Sequence, residues 1–155
     1  MQRSRRIRSV IAGLLGAGAL VAIPLTQSAQ ASPSGTYENS VYANTNAQRD
    51  RYDRVLLKGA KCLDIFAERQ AREMAQQRRI FHQNLRPILD RCNLRMVGEN
   101  VAYGYPNGKS AVSAWMRSSG HRANILNPDF RLIAVGAYQD SRGSWYVAQV
   151  FGRSR

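Results

Sequence analysis

Acidic residues are few in this chain. Ten Asp and Glu stand against 23 Lys and Arg among 155 residues, a formal net charge of +13, and none precedes Glu38. Histidine and cysteine number two each. There is no C-x-x-C pair, no H-E-x-x-H, no G-x-S-x-G and no Gly-rich phosphate loop. Those absences remove thioredoxin-like redox chemistry, helix-borne zinc protease chemistry, the α/β-hydrolase nucleophile elbow and P-loop nucleotide binding. Internal repeats are lacking too, and the length suits one ordinary domain rather than a repeat array or a multi-spanning transporter. What is present, 44% hydrophobic and 21% charged residues, is the composition of a packed globular chain.

The first eight residues, MQRSRRIR, hold four arginines; residues 10–25 are apolar and uncharged; small polar residues then lead to Ala29-Gln30-Ala31. A basic start, an apolar middle and an A-x-A exit describe a secretory signal peptide over residues 1–31. The rival is an uncleaved anchor, but the apolar run is interrupted by Gly13, Gly16, Gly18 and Pro24 and falls short of the roughly 20 residues a span requires. The expected product is secreted and extracellular, with no stable membrane span and still an excess of arginine. In that compartment an even pair of cysteines reads as a disulfide, Cys62 to Cys92. A zinc set of Cys62, His82 and Cys92 ranks far below it, because a disulfide withholds the thiolates zinc needs.

Residues 32–36, SPSGT, read as a flexible leader. From Tyr37 to about Arg54 the chain tolerates helix, with Val41, Tyr42, Thr45 and Arg49 near one face. Leu63, Phe66, Ala67, Gln70, Ala71, Met74 and Ala75 recur at the spacing of an amphipathic helix over about Lys61–Arg78. Pro87 opens a short helix that returns Cys92, and Met96–Tyr103 reads as a strand. A second helix is expected to be capped by Ser110 and stopped by Gly120, with Ala111, Val112, Trp115 and Met116 buried. LIAVGAY (132–138) and WYVAQVF (145–151) form a hairpin whose strands are apolar on both faces, so helices must cover the sheet on each side.

His82 lies in FHQNL, His121 in SGHRANIL, and Glu99 in GENVAYG inside an otherwise apolar strand. A carboxylate there is costly unless imidazoles, backbone N–H groups or a metal partner it. The three either share a cleft, or the histidines are half-exposed and the acid hydrogen-bonds loop amides. Nothing local in the sequence links them.

Taken in order, FHQNL, GENVAYG, AVSAWMRSSGHRANILNP, IAVGAY and WYVAQVFG resemble the CAP superfamily of SCP-like secreted domains, in its compact bacterial branch. The resemblance implies an α+β fold, an α-β-α sandwich with a small three-stranded antiparallel sheet covered by helices, over residues 37–155. It also implies a cleft lined by a His, a Glu, a second Glu three residues after the Trp, and a second His. These positions fall on His82, Glu99, Ser118 and His121, so a serine stands where the second acid would be. Asn100 is expected to fix the strand end by side-chain hydrogen bonds.

The function expected is a secreted, monomeric, non-catalytic binding domain whose cleft takes a small ligand or a divalent metal. Zinc or another divalent ion would be held by His82, Glu99 and His121. One alternative is a protease- or esterase-like hydrolase, with Ser118 or Ser119 as nucleophile and Glu99 beside a histidine. Another is a basic protein drawn to anionic cell-surface polymers by bulk charge. Scattered arginines without a stacking motif argue against sequence-specific nucleic-acid binding.

Overall fold

The two apolar runs near the C-terminus become β3 (Leu132–Gln139) and β4 (Trp145–Ser154), paired antiparallel from Leu132 opposite Gly152 to Gln139 opposite Trp145. Their turn is closed by Asp140, whose side chain accepts the N–H of Arg142 at 2.9 Å and of Ser144 at 3.0 Å. The other edge of β4 carries β2 (Leu94–Tyr103), also antiparallel. These are the three strands expected; a two-residue strand, β1 (Lys58–Gly59), adds in parallel to β3, giving the order β1-β3-β4-β2. The computed structural model describes residues 32–155, and the expected signal peptide lies outside them.

Helices cover both faces, as strands apolar on both sides require. On one face, α1 (Pro33–Arg51), α4 (Gly108–Arg117) and α5 (Ser119–Leu126) bury Tyr37, Val41, Val112, Trp115 and Ile125 against Ile133, Val135, Val147 and Phe151. On the other, α2 (Lys61–Gln77) and α3 (Arg86–Arg91) bury Leu63, Phe66, Met74 and Ile88 against Leu94, Ala134, Ala148 and Val150. The result is the α-β-α sandwich. Gly136 sets the spacing of α2 on the sheet: a Cβ there would run into the backbone of Ala67 and Glu68. The Cys62–Cys92 disulfide is present and ties the first turn of α2 to the residue after α3.

Three local expectations are corrected. Residues 33–36 are not a flexible leader; they form the first turn of α1, with Pro33 at its start and the Ser32 hydroxyl accepting the Gly35 N–H at 3.1 Å. Asn107, not Ser110, caps α4: its side chain accepts the Ser110 N–H at 2.9 Å. Gly120 does not stop that helix, which ends where Ser118 turns extended (ψ 123°), and Gly120 lies inside α5. The break comes from the serine's backbone, so a search for a terminating glycine finds the wrong residue.

Beneath α1, Arg49 is fully buried and meets no carboxylate. Its guanidinium donates to the carbonyls of Val55 (2.8 Å), Ile125 (2.7 Å), Asn127 (2.9 Å) and Phe130 (3.3 Å). It thereby takes up backbone acceptors at the end of α5 and in the loop to β3, including carbonyls that the last helical turn leaves unpaired. Burial, with Arg131 and Arg54 adding repulsion, lowers its pKa to about 10.

Candidate functional site

Successive side chains of a strand point to opposite faces, and the Gly98-Glu99-Asn100 segment of β2 uses both. Glu99 points to the α2 face. Its side chain is 1% exposed, and the loop after α2 supplies its partners. Oε2 lies 2.7 Å from His82 Nδ1 and accepts the Gln83 N–H at 3.3 Å, while Oε1 accepts from Gln83 Nε2 at 2.7 Å. The acid therefore has two of the three partner types considered for it, an imidazole and a loop amide. That loop is itself held on α2, where Gln70 Nε2 donates to the Phe81 carbonyl at 2.5 Å. Gln83 Oε1 is left buried without a partner.

Asn100 points to the other face. Its Nδ2 donates to the His121 carbonyl at 3.2 Å and to Gln149 Oε1 at 3.1 Å; Gln149 Nε2 continues to Thr45 Oγ1 on α1 at 2.7 Å. From α5, Asn124 Nδ2 donates to Asn100 Oδ1 and to the Glu99 carbonyl, both at 3.0 Å. Gly98 is required by the same packing, since a Cβ there would stand 2.8 Å from the Phe130 ring and 3.2 Å from Asn124 Oδ1. Each residue of the segment thus has a separate duty: close approach, orientation of His82, and anchorage of the His121 backbone.

His121 sits in the first turn of α5 with Nδ1 2.9 Å from the Ser118 hydroxyl. Burial, and secondarily the nearby His82, hold its pKa below the ordinary imidazole value. Beside it opens a cavity of about 370 Å³ lined by Ile80, Val101, Ala102, Tyr103, Tyr105, Ala114, Trp115, Ser118 and His121. The Trp115 indole is fixed by donating to the Val101 carbonyl at 3.0 Å. Of the four residues singled out from sequence, Ser118 and His121 line this cavity. His82 is exposed next to its partner Glu99, which is sealed from solvent.

Gln83, Asn124, Gln149 and Thr45 were not expected. Gln83 and Asn124 had a signal, being polar neighbours of the two histidines inside FHQNL and HRANIL. Gln149 and Thr45, in β4 and α1, had none that points to the cleft.

Among the described residues no group of three or more His, Cys, Asp or Glu side chains is arranged to hold a metal ion. Glu99 spends both oxygens on His82 and Gln83, and the cysteines are bonded to each other. Two imidazole Nε2 atoms remain, one donor fewer than the three protein ligands of an open zinc site. The residues present do not make that set.

A family model described as the cysteine-rich secretory protein (CAP) family matches residues 31–151. YkwD of Bacillus subtilis is 34% identical over 137 residues, covering 83% of this chain and 51% of YkwD. A solved extracellular protein containing an SCP domain, from Bacillus anthracis, superposes with a TM-score of 0.71 at 25% identity over 82% of this chain and 45% of that one. An outer surface protein of Borrelia burgdorferi shares the fold, with a TM-score of 0.69 at 18% identity over 76% of this chain and 92% of its own. The chain spans about half the length of YkwD and less than half of the B. anthracis protein. With its ordered motifs, its sandwich and these matches, the chain belongs to the CAP family of cysteine-rich secretory proteins.

Proposed function

We propose that this is an extracellular binding domain whose cleft takes a small molecule with an apolar body and a polar head. The observation that carries the reading is the cavity of about 370 Å³, walled by Ile80, Val101, Tyr103, Tyr105 and Trp115 with Ser118 and His121 also in its lining. Apolar walls with few convergent polar groups are the usual make-up of a small-molecule site. The His121 ring keeps Nε2 for the head group, since its Nδ1 faces Ser118. His82, held by Glu99, lies outside the cavity lining but near enough for its charge to act on His121. The extracellular placement is supported by the extracellular and outer-surface descriptions of structural relatives and by the oxidised cysteine pair.

The test is a titration with aliphatic carboxylates of two to eight carbons, followed by amide chemical shifts. Shifts confined to Tyr103, Tyr105, Ala114, Ser118 and His121, with affinity rising with chain length, are expected. Ala114→Trp should block the response by filling the cavity. Shifts scattered over the arginine-rich surface, independent of chain length, would refute the reading. A parallel titration with zinc chloride distinguishes an ion held at the two imidazoles, which would move His82 and His121 without moving Tyr103 or Ala114.

A further inference from the structure

We propose that Ser118 is a nucleophile and His121 its base, so that the cleft takes short apolar acyl groups from esters onto Ser118 and passes them to water. This rests on the reading of the cleft as a small-molecule site and adds a chemical step to it. Ser118 is the N-cap residue of α5, where a serine hydroxyl ordinarily accepts an N–H of the first turn. It makes no such bond. The hydroxyl is turned to His121 Nδ1 at 2.9 Å instead, the reach of a nucleophile–base pair. The base is held in place through its backbone: its carbonyl accepts from buried Asn100, which is tied through Gln149 to Thr45 on α1.

Stabilisation of charge is available at the same spot. The first i to i−4 bond of α5 runs from the Arg122 N–H to the Ser118 carbonyl at 2.8 Å. The N–H groups of Ser119, Gly120 and His121 therefore have no acceptor within the helix. They lie at the positive end of its dipole beside Ser118, where an oxyanion would develop. Ser118 lines the same cavity as Ile80, Val101, Tyr103, Tyr105 and Trp115, so the acyl chain has apolar side chains to lie against.

In the first step Ser118 Oγ attacks the ester carbonyl carbon and its proton passes to His121 Nδ1. As the tetrahedral species collapses, the bond to the alkoxy oxygen breaks and the departing alcohol takes that proton, leaving acyl-Ser118. Water then attacks the same carbon, giving one proton to His121 Nδ1. The acyl–oxygen bond to Ser118 breaks, the proton returns to Ser118 Oγ, and the carboxylic acid leaves. No oxidant, reductant or metal enters the balance.

The experiment mixes the purified chain with 4-nitrophenyl butyrate or 4-nitrophenyl acetate and follows nitrophenolate release, intact mass and peptide mapping. One acyl group per chain on Ser118 is expected, formed faster from butyrate than from acetate. Ser118→Ala should remove the adduct, and His121→Gln should slow its formation by about 100-fold or more, with near-ultraviolet circular dichroism of both variants unchanged. If Ser118→Ala loses its fold, the mapped adduct on the native chain and its dependence on His121 still decide. Acylation confined to lysines and the amino terminus, or a Ser118 adduct indifferent to His121→Gln, overturns the proposal. Carboxylate binding that persists without Ser118 acylation overturns this step alone, whereas loss of binding as well overturns the cleft reading with it.

Discussion

Arg49 and His121 show what single side chains do here. Removing the Arg49 guanidinium takes a donor from four carbonyls; Phe130 keeps Arg131 Nη1 at 2.8 Å, whereas the buried Ile125 carbonyl is left with its desolvation uncompensated. Arg49→Met, which keeps much of the volume, is expected to cost about 2–4 kcal/mol in urea unfolding, made up of about 1–3 kcal/mol for the buried Ile125 acceptor and a smaller cost at the part-exposed ones. His121 titrates low because burial disfavours its cation and His82 adds repulsion. The unfolded chain then binds that proton more readily. The stability linked to His121 is therefore present above about pH 6.5 and is lost as the pH falls from there through the lower folded value. Proton resonances of the ring should give a midpoint below about 6.5, and His82→Gln should move it upward. An unchanged midpoint in that variant would remove His82 as a cause.

At the scale of elements, the strand pattern is readable and the joints between helices are not. The amphipathic stripe from Leu63 to Ala75 matches the buried residues of α2, and the unbroken apolar runs of β3 and β4 announce helices on both sides. Ser118 hides the start of α5, because an extended serine between two helical segments has the composition of either. The Glu99–His82 contact is foreseeable as a need of a buried acid. The Asn100–Gln149–Thr45 chain is illegible, because its members lie on three elements that only the tertiary fold brings together. Close contact between α2 and the sheet rests on one missing side chain. Gly136→Ala should force α2 away from β3 and cost about 1–3 kcal/mol, read as a lowered urea midpoint with an unchanged slope.

The whole molecule is small enough that its cross-link counts. The Cys62–Cys92 bond closes a separation of 30 residues, worth about 3–4 kcal/mol on the chain-entropy estimate. A Cys62→Ser, Cys92→Ser variant is expected to lose that amount in denaturant unfolding and to keep the cleft's response to carboxylates, since neither cysteine lines the cavity. Its surface charge is mostly arginine, and several of these side chains lie over the protein's own rings: Arg72 over Tyr138 (5.7 Å), Arg79 over Phe81 (4.8 Å) and Arg122 over Tyr52 (5.1 Å). Such pairs are not evident in the sequence. They put guanidinium groups on ring faces that would otherwise be open to solvent.

The bonds from Asn124 and Trp115 to the carbonyls of Glu99 and Val101 have a consequence apart from any ligand. β2 closes one end of the sheet, and alternate residues along it turn their backbone groups away from β4. An end left bare is a template on which another chain can lay down a strand. Asn124 Nδ2 and Trp115 Nε1 occupy two successive outward carbonyls, at 3.0 Å each. At the opposite end, where β1 covers only the start of β3, Glu38 accepts the outward N–H of Ala137 at 3.0 Å. Side chains thus plug both rims against aggregation. Asn124→Ala should therefore betray itself first as concentration-dependent fibrillar or amorphous self-association, seen by light scattering and thioflavin fluorescence; a variant that stays clear at high concentration would show that the plug is dispensable.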